Sequence, residues 1–368
     1  MLKIAFILPY APIYREAIYR KIDETFDVDW YFCDNSGHGL KQMDYSAFKN
    51  AKLCLHESLF RGHSFWYKGL SSIPVKKYDY LFIAGQTHCP AEWYLLMRYG
   101  HKSHGPKVCL WTHGWYGKES NLEKKLKRIF YHFADKIFLY GNRARNLMIK
   151  EGYDEHKLFT IHNSLAYDEQ FSLRKQMQSS DVYKKHFGNE YPVMIFLGRL
   201  TPVKQLNIAI DSLANLRDRR KCFNLVFVGD GSERATLESL VVKYGLQKQV
   251  WFYGACYDEM TNAELVYNAD LCVAPGNIGL TAMHSMMFGC PCITHNDFKW
   301  QMPEFEAIHE WKTGAFFTRN DAKSLSNAIE NWFYIHKEDR EDVRKACYEE
   351  IDTQWNPYCQ IEVLKKNL

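Results

Sequence analysis

Short apolar segments alternate with longer helical patterns along most of the chain, and this alternation limits the possible folds more than any other feature. In the first half, the apolar segments are residues 3–8, 28–32, 80–84, 107–111, 136–140 and 159–161. In the second half, they are residues 193–197, 224–228, 250–253, 271–274 and 292–294. Short strands separated by helices are typical of parallel sheets flanked by helices. The sequence therefore predicts an α/β protein.

The alternation occurs twice, and a polar stretch at residues 171–191 separates the two halves. A chain of 368 residues also exceeds the length that one hydrophobic core usually organises. We therefore predict one Rossmann-like domain over residues 1–170 and a second over residues 191–340. Residues 171–190 are the predicted linker, and residues 341–368 are a predicted C-terminal helix.

Charge and cysteine content narrow the classes of function. The net charge of +4 is too small to predict nucleic-acid binding. The 11 cysteines lack paired CxxC spacing, so we interpret them as reduced thiols of a cytoplasmic protein rather than as a disulfide framework or a zinc site. The apolar run Lys3–Leu8 is too short for a signal peptide. No run approaches the roughly 20 apolar residues that span a bilayer.

The segment from Gly117 to Lys150 is unusually basic, with nine lysine or arginine residues against three acidic residues. A helix is predicted within it, over residues 120–133. Its apolar residues recur at helical spacing: Leu122, Leu126, Ile129, Phe130 and Phe133. One interpretation is a solvated outer face with a packed inner face. The other is a surface that rests on anionic lipid headgroups, at the inner face of a membrane.

The strongest local signal of chemistry is a strand followed by two cations. The predicted strand ends at Gly198, and Arg199 and Lys204 follow in a loop that leads into a helix. Doubly wound sheets bind ligands at the ends of their strands. An arginine fork and a lysine point charge can grip a diphosphate there and stabilise the charge of a departing nucleoside diphosphate. The alternative is a pair of exposed cations in an ordinary loop.

Four motifs follow one another in the second half of the chain. They are Gly198-Arg199-Leu200 with Lys204, then Val228-Gly229-Asp230-Gly231, Val250-Trp251-Phe252-Tyr253-Gly254 and Tyr267-Asn268-Ala269-Asp270. In this order and spacing they resemble the large retaining glycosyltransferase family 4 of the GT-B fold. The resemblance covers residues 190–335 well and the N-terminal half more weakly. It implies two Rossmann-like lobes that face a central cleft, with the acceptor on the first, the donor on the second, and the C-terminal helix packed back on the first.

The resemblance also implies a donor site in the second lobe, with a UDP- or GDP-linked sugar as the substrate. The implied donor-binding residues are Gly198, Arg199, Lys204, Gly229, Gly254 and Tyr257. Physical reasoning adds a further group of contacts from a glycine-rich loop that leads into a helix. The backbone N–H groups of Gly279, Leu280 and Thr281 lie at the predicted N-terminus of that helix, where an anion is favoured.

In this glycine-rich loop, the family normally carries two glutamates eight positions apart, but Gly276 and His284 occupy those positions. His284 can hydrogen-bond to a ribose hydroxyl, or it can be a helix histidine satisfied by local packing. Because Gly276 has no side chain, sugar recognition would fall to backbone groups or to Asn277. Glu304 and Glu306 share one side of a predicted extended segment. Either could replace a lost glutamate, or both could be surface acids or caps of the following helix.

His113 ends a predicted strand in the first half, where similar enzymes often have a histidine that faces the donor sugar. The resemblance implies that His113 hydrogen-bonds the sugar or assists the acceptor hydroxyl. It is therefore a candidate catalytic residue, together with Arg199 and Lys204. The alternative is a loop histidine without a ligand. His88 has a similar strand-end position.

Three residues after the first strand are candidate acceptor contacts. Arg15 could bind a phosphate of the acceptor, and Tyr10 or Tyr14 could stack on a sugar. The alternative for all three is ordinary packing.

Together these features predict an enzyme that transfers a hexose or deoxyhexose from a nucleoside-diphosphate sugar to a glycan hydroxyl, with retention. A lipid-linked oligosaccharide acceptor, in surface polysaccharide, O-antigen or lipopolysaccharide synthesis, follows from the basic segment and from analogy with the family. No metal cofactor is predicted, because the strand ends lack a DxD-like acidic pair and Arg199 and Lys204 can neutralise the diphosphate. The alternatives are a nucleotide-sugar epimerase of the same fold and a non-catalytic nucleotide- or sugar-binding subunit.

Overall fold

The computed structural model of the protein describes residues 2–33, 41–46, 48–54, 56–60 and 64–368. The chain forms two compact units. Unit 1 comprises residues 1–166 and 356–368, and unit 2 comprises residues 167–355.

Unit 1 is an α/β unit. Its strands are β1 (Lys3–Leu8), β2 (Asp27–Cys33), β3 (Ala51–Cys54), β4 (His56–Phe60), β5 (Ser64–Tyr67), β6 (Tyr80–Ile83), β7 (Lys107–Thr112), β8 (Lys136–Leu139) and β9 (Leu158–Thr160). Its first helices are α1 (Glu16–Thr25), α2 (Pro90–Tyr99), α3 (Asn121–His132) and α4 (Asn142–Lys150). Seven strands form one parallel sheet in the order β3-β2-β1-β6-β7-β8-β9, and β4 pairs with β5 in a separate antiparallel ribbon. The strand order reverses between β1 and β6, which is the position where such sheets bind ligands.

The core of unit 1 is built on β1, which is apolar on both faces. Phe6 is 1% exposed, and its ring centroid lies 4.6 Å from those of Trp30 and Phe82 on the neighbouring strands. Ala5 and Ile7 point to the opposite face and belong to the second apolar cluster of this unit. A strand buried on both faces is what a parallel sheet covered by helices requires.

Unit 2 repeats the architecture. Its helices are α5 (Tyr167–Arg174), α6 (Val182–Phe187), α7 (Asn207–Asp218), α8 (Arg234–Tyr244), α9 (Glu259–Asn268), α10 (Leu280–Met287), α11 (Ala322–Ile335) and α12 (Arg340–Gln354). Its strands are β10 (Val193–Leu197), β11 (Asn224–Val228), β12 (Val250–Gly254), β13 (Leu271–Ala274), β14 (Cys292–His295) and β15 (Gly314–Phe317). They form one parallel sheet in the order β12-β11-β10-β13-β14-β15. This is the strand order of dinucleotide-binding sheets, with the reversal between β10 and β13.

The unit boundaries differ from those predicted. The predicted linker, residues 171–190, lies in unit 2, where Arg174 of α5 donates to both carboxylate oxygens of Asp352, at 3.1 and 2.7 Å. The predicted C-terminal helix is two helices. Of these, α12 belongs to unit 2, and α13 (Pro357–Asn367) belongs to unit 1, where Ile361 and Leu364 are buried in the core.

The α/β class predicted from the sequence is confirmed, and each predicted strand is present within one residue of its predicted ends. The sequence analysis missed β3, β4, β5 and β15. In β15, the first residue is Gly314, and a Cβ there would lie 1.9 Å from the carbonyl oxygen of Cys292 on β14. The glycine is required by the closeness of the two strands, but in the sequence it resembles a break.

We expect Phe6→Ala to lower the free energy of unfolding of unit 1 by about 3–5 kcal/mol, because it empties the space between two other rings. Urea unfolding followed by tryptophan fluorescence measures the change. Met97→Ala, at a 53% exposed position on α2, is the control, with an expected change below about 0.5 kcal/mol. Equal losses in the two variants would contradict the central position of Phe6.

Candidate functional site

In unit 2, the ends of β10, β11 and β12 are joined through glycines. Gly198 follows β10 and donates to the carbonyl of Val228 at 2.9 Å, and Gly229 donates to the carbonyl of Gly254 at 2.8 Å. A Cβ on Gly229 would lie 1.9 Å from the carbonyl oxygen of Gly198. The predicted residues Gly198, Gly229 and Gly254 therefore lie together at three neighbouring strand ends. Beyond β12, the side chain of Tyr257 is 94% exposed.

The loop after β13 is packed tightly against the loop after β10. The backbone N–H of Gly276 donates to the carbonyl of Lys204 at 2.9 Å. A Cβ on Gly276 would lie 2.1 Å from the carbonyl oxygen of Val203 and 2.7 Å from the Cα of Lys204. Position 276 therefore has no room for a side chain of any kind, because the obstructing atoms belong to the backbone.

This packing places the Lys204 ammonium beside the start of α10. Its Nζ donates to the carbonyl oxygen and to Oδ1 of Asn277, at 2.7 and 2.9 Å, and lies 4.0 Å from where a Cβ on Gly279 would be. Burial lowers the pKa of Lys204 to about 8. The charge of Glu304 opposes this shift, and that of Arg199 adds to it. Lys204 is therefore mostly protonated at neutral pH and loses its charge as the pH rises above 8.

The N-terminus of α10 completes an anion-binding arrangement. Gly279 is the N-cap residue and provides no side-chain cap, and Leu280 and Thr281 begin the helix. The first N–H groups of a helix lack partners within it and carry its positive end. The hydroxyl of Thr281 donates to the carbonyl of Leu197 at 2.9 Å, which fixes α10 to the end of β10. The start of α10 and the Lys204 ammonium thus place positive charge side by side, which favours a negatively charged group there.

Arg199 lies on the loop after β10 and its side chain is exposed. It makes no ion pair with any residue that the structure describes. The charge of Arg199 contributes to the lowered pKa of Lys204, so the two cations lie close enough to interact. A guanidinium and an ammonium beside a helix N-terminus can together bind the two phosphates of a diphosphate.

In unit 1, one cavity of about 290 Å³ brings together the candidate residues of the first half. Tyr10, Tyr14 and Arg15 follow β1, His88 follows β6, and His113 follows β7, and all five line this cavity. It lies at the topological switch point of the sheet, since β1 and β6 are the strands between which the order reverses.

His113 is enclosed by aromatic rings and cations. Its ring centroid lies 4.7 Å from that of Tyr140 and 5.9 Å from that of Tyr116. Burial lowers the pKa of His113 to about 4, and the charges of Arg15 and Lys127 add to this shift. The imidazole is therefore neutral at pH 7. Its buried Nδ1 makes no hydrogen bond with the described part of the chain.

The family described as "Glycosyl transferases group 1" matches residues 178–350, which lie in unit 2. Residues 178–350, called the group 1 domain below, are therefore similar to group 1 glycosyltransferases. The family expected from the four motifs is therefore confirmed, and the match includes every predicted donor-binding residue.

Relatives and solved structures agree with this assignment. EpsD of Bacillus subtilis (strain 168) is 24% identical over 178 residues, which cover 47% of this chain and 45% of EpsD. The chain thus matches less than half the length of this curated relative. The apo form of the lipopolysaccharide outer core galactosyltransferase WaaB is 14% identical, with a TM-score of 0.73 and 100% of both chains covered. HepE of Anabaena in complex with UDP is 15% identical, with a TM-score of 0.69 and 99% of both chains covered. These two likenesses confirm the GT-B fold.

The group 1 domain departs from its family pattern at Gly276 and His284, and the structure shows what surrounds His284. Its Nε2 lies 2.8 Å from a carboxylate oxygen of Glu259, at the start of α9, and Gln170 donates to the same carboxylate at 2.7 Å. Burial raises the pKa of Glu259, but the contacts with His284, Gln170 and Asn262 together outweigh it, and the pKa is lowered overall. The sequence analysis missed Glu259, although its place after the end of β12 could have indicated it.

The segment with Glu304 and Glu306 is not extended, as predicted, but a 3₁₀ helix over Pro303–Ala307. Because residues two apart point in different directions on such a helix, the two carboxylates do not share a side. Glu304 is 1% exposed, and its charge raises the pKa of Lys204, whereas Glu306 is half-buried.

Two polar residues that the sequence analysis missed hold the site loops. Gln301 is buried, accepts from the backbone N–H of Ile278 at 3.0 Å and donates to Thr294 at 2.8 Å. In unit 1, the carboxylate of Glu92 accepts from the backbone N–H of Gln86 at 2.7 Å, and burial raises the pKa of Glu92 to about 7. No pattern in the sequence marks either residue. Across the described residues, no group of three His, Cys, Asp or Glu side chains is placed to hold a metal ion.

We expect the affinity for UDP to fall by about tenfold between pH 7 and pH 9, because a Lys204 with a pKa of about 8 loses its charge over this interval. Isothermal titration calorimetry at each pH measures the change. In Lys204→Arg the guanidinium stays charged, so the affinity should vary less than twofold over the same interval. A wild-type affinity that does not depend on pH would contradict the placement of Lys204 at the diphosphate.

Proposed function

We propose that this chain is a glycosyltransferase that moves a hexose or deoxyhexose from a nucleoside-diphosphate sugar to a hydroxyl group of a glycan. The observation that carries the proposal is the anion site of Lys204, Arg199 and the N-terminus of α10, at the switch point of a group 1 domain. The UDP bound to HepE supports a UDP-linked donor, and a GDP-linked donor fits the same diphosphate contacts.

In the proposed reaction, the acceptor hydroxyl oxygen forms a bond to the anomeric carbon while the bond from that carbon to the diphosphate breaks. Arg199 and Lys204 stabilise the negative charge that grows on the departing diphosphate. With retention, the proton of the acceptor hydroxyl passes to the departing phosphate, so no protein carboxylate is needed as a base. His113, which is neutral at pH 7, serves by hydrogen bonding to a sugar hydroxyl.

Recognition of the donor sugar and ribose must use groups other than the two glutamates of the family. No side chain fits at position 276, so Asn277, the backbone of Gly279 and the buried carboxylate of Glu304 are the proposed sugar contacts. For the ribose, His284 with Glu259 behind it offers a hydrogen-bonding pair.

We expect Arg199→Ala and Lys204→Ala each to lower kcat/KM for glycosyl transfer by about 100-fold or more, because each removes charge stabilisation of the leaving group. Transfer is measured with radiolabelled UDP- and GDP-sugars and membrane-extracted glycolipid acceptors. The control is Lys243→Ala, an exposed lysine at the end of α8. Unchanged transfer in both site variants would contradict the proposal, as would interconversion of two nucleotide sugars or binding without turnover.

The surface of α3 supports a lipid-linked acceptor. Leu122, Leu126 and Ile129 are 77%, 41% and 54% exposed, so they do not form the packed inner face that one interpretation of the sequence required. Of the apolar residues, Phe130 is the one that is fully buried, with its ring centroid 4.9 Å from that of Trp93. An exposed apolar stripe on a helix is typical of an interface with a membrane or a partner.

The charges around this stripe leave a small positive excess, which favours an anionic membrane. Lys124 and Arg128 share the single carboxylate of Glu151 and Lys125 is exposed, whereas the charge of Lys127 is balanced by Glu119. Among the described residues, no helix is long and apolar enough to cross a bilayer. We therefore propose that α3 rests on the headgroups of the inner membrane face, where a lipid-linked oligosaccharide would be presented.

We expect the wild-type protein to sediment with vesicles rich in phosphatidylglycerol, and a variant with Leu122→Ser, Leu126→Ser and Ile129→Ser to bind them at least about tenfold more weakly. The reason is the loss of apolar area that the headgroup region would cover. Ile335→Ser, at a 51% exposed position on α11, is the matched control. Unaltered binding of the triple variant, or equal wild-type binding to pure phosphatidylcholine, would contradict the membrane role of α3.

A further inference from the structure

The cavity of unit 1 contains a buried guanidinium that no carboxylate of the described residues balances. Arg15 is 9% exposed, and its guanidinium carbon lies 4.8 Å from the ring centroid of Tyr140 and 5.3 Å from that of Trp111. It donates to the hydroxyl of Tyr140. It makes no ion pair with any described residue, and no aspartate or glutamate lines the cavity.

A buried cation without an anion is unfavourable, since it has lost its hydration and gains only part of that energy back from aromatic faces. The other cation of the cavity does not change this balance. Lys127 donates to Glu119 at 2.8 Å and to the carbonyl of Gly114 at 2.9 Å, so its charge is already neutralised. His113 is neutral, and its Nδ1 lacks a hydrogen-bond partner among the described residues. The cavity therefore carries one net positive charge and an open polar atom.

We propose that this cavity binds an anionic group of the sugar acceptor, a phosphate ester or a carboxylate, through the guanidinium of Arg15. An arginine fork matches the paired oxygens of either group. Tyr10 and Tyr14 supply aromatic surface for the attached sugar, and His113 supplies a hydrogen bond. The inference rests on the proposed function, because it names the class of acceptor that the transferase uses.

Binding of small anionic sugars tests the proposal. Glucose 1-phosphate, glucuronate and uncharged glucose are titrated calorimetrically into the full chain with the donor site filled by saturating UDP. At least one anionic sugar should bind at least tenfold more tightly than glucose, and the preferred one distinguishes a phosphate from a carboxylate acceptor. This preference should disappear in Arg15→Gln. It should persist in Arg20→Gln, a matched control on α1 whose arginine pairs with Glu16.

Equal binding of glucose and of the anions, failure of both anions to bind, or an unchanged preference in Arg15→Gln would overturn the proposal. The UDP titration that precedes each experiment tests the donor site separately. A wild-type protein that binds neither UDP nor GDP would refute the proposed function, whereas an intact nucleotide site with no anion preference would refute only the acceptor inference. Arg15→Lys, which keeps the charge, should keep part of the preference.

The titration of His113, followed by its imidazole NMR signals, provides a second readout that a purely structural Arg15 would not affect. The charges of Arg15 and Lys127 act on this imidazole, and the rings of Tyr116 and Tyr140 lie beside it. The other titratable groups that line the cavity are Tyr10, Tyr14, Tyr19, His88 and Tyr131. An anion on Arg15 cancels part of its field, so the preferred anionic sugar should raise the pKa of His113 from about 4. In Arg15→Gln that pKa should be raised already and should no longer respond to the anion. A pKa that responds equally in both proteins would contradict the proposal.

Discussion

The donor side of this protein depends on a contact between two loops with no side chain between them. The backbone of Val203 and Lys204 lies against Gly276 so closely that a Cβ would come within 2.1 Å of a carbonyl oxygen. This contact aligns Lys204 with Asn277 and brings its ammonium to the uncapped N-terminus of α10. The position of the proposed diphosphate site therefore follows from backbone packing at one point of the sheet.

The same contact explains why position 276 carries no glutamate. A glutamate at position 276 would displace the lysine loop, so negative charge near the sugar must come from elsewhere in the chain. Glu304 reaches this region from a 3₁₀ helix, and Glu259 reaches His284 from the start of α9. In unit 1 the opposite arrangement occurs, since Arg15 lies buried among aromatic rings and forms no ion pair with a carboxylate of the described residues.

Much of the fold could be predicted from the sequence, because buried parallel strands leave continuous apolar runs and their order fixes where loops converge. For this reason, Lys204, Arg15 and His113 could be named as candidates before their surroundings were known. The position of Glu259 after β12 could have indicated it as well, but its contact with His284 could not be predicted, because that contact arises from the packing of one helix against another. The exposure of the apolar residues of α3 could not be predicted either. Helical spacing identifies Leu122, Leu126 and Ile129 as a stripe, but only the three-dimensional structure shows whether another element covers that stripe.

The central claim is that Lys204 and the start of α10 hold the donor diphosphate. A crystal structure of the protein grown with UDP tests it most directly. We expect a phosphate within hydrogen-bonding distance of the Lys204 ammonium and of the backbone N–H groups of Leu280 and Thr281. The guanidinium of Arg199 should lie closer to this phosphate than to any other group. A diphosphate bound elsewhere on unit 2, with Lys204 still donating only to Asn277, would contradict the account.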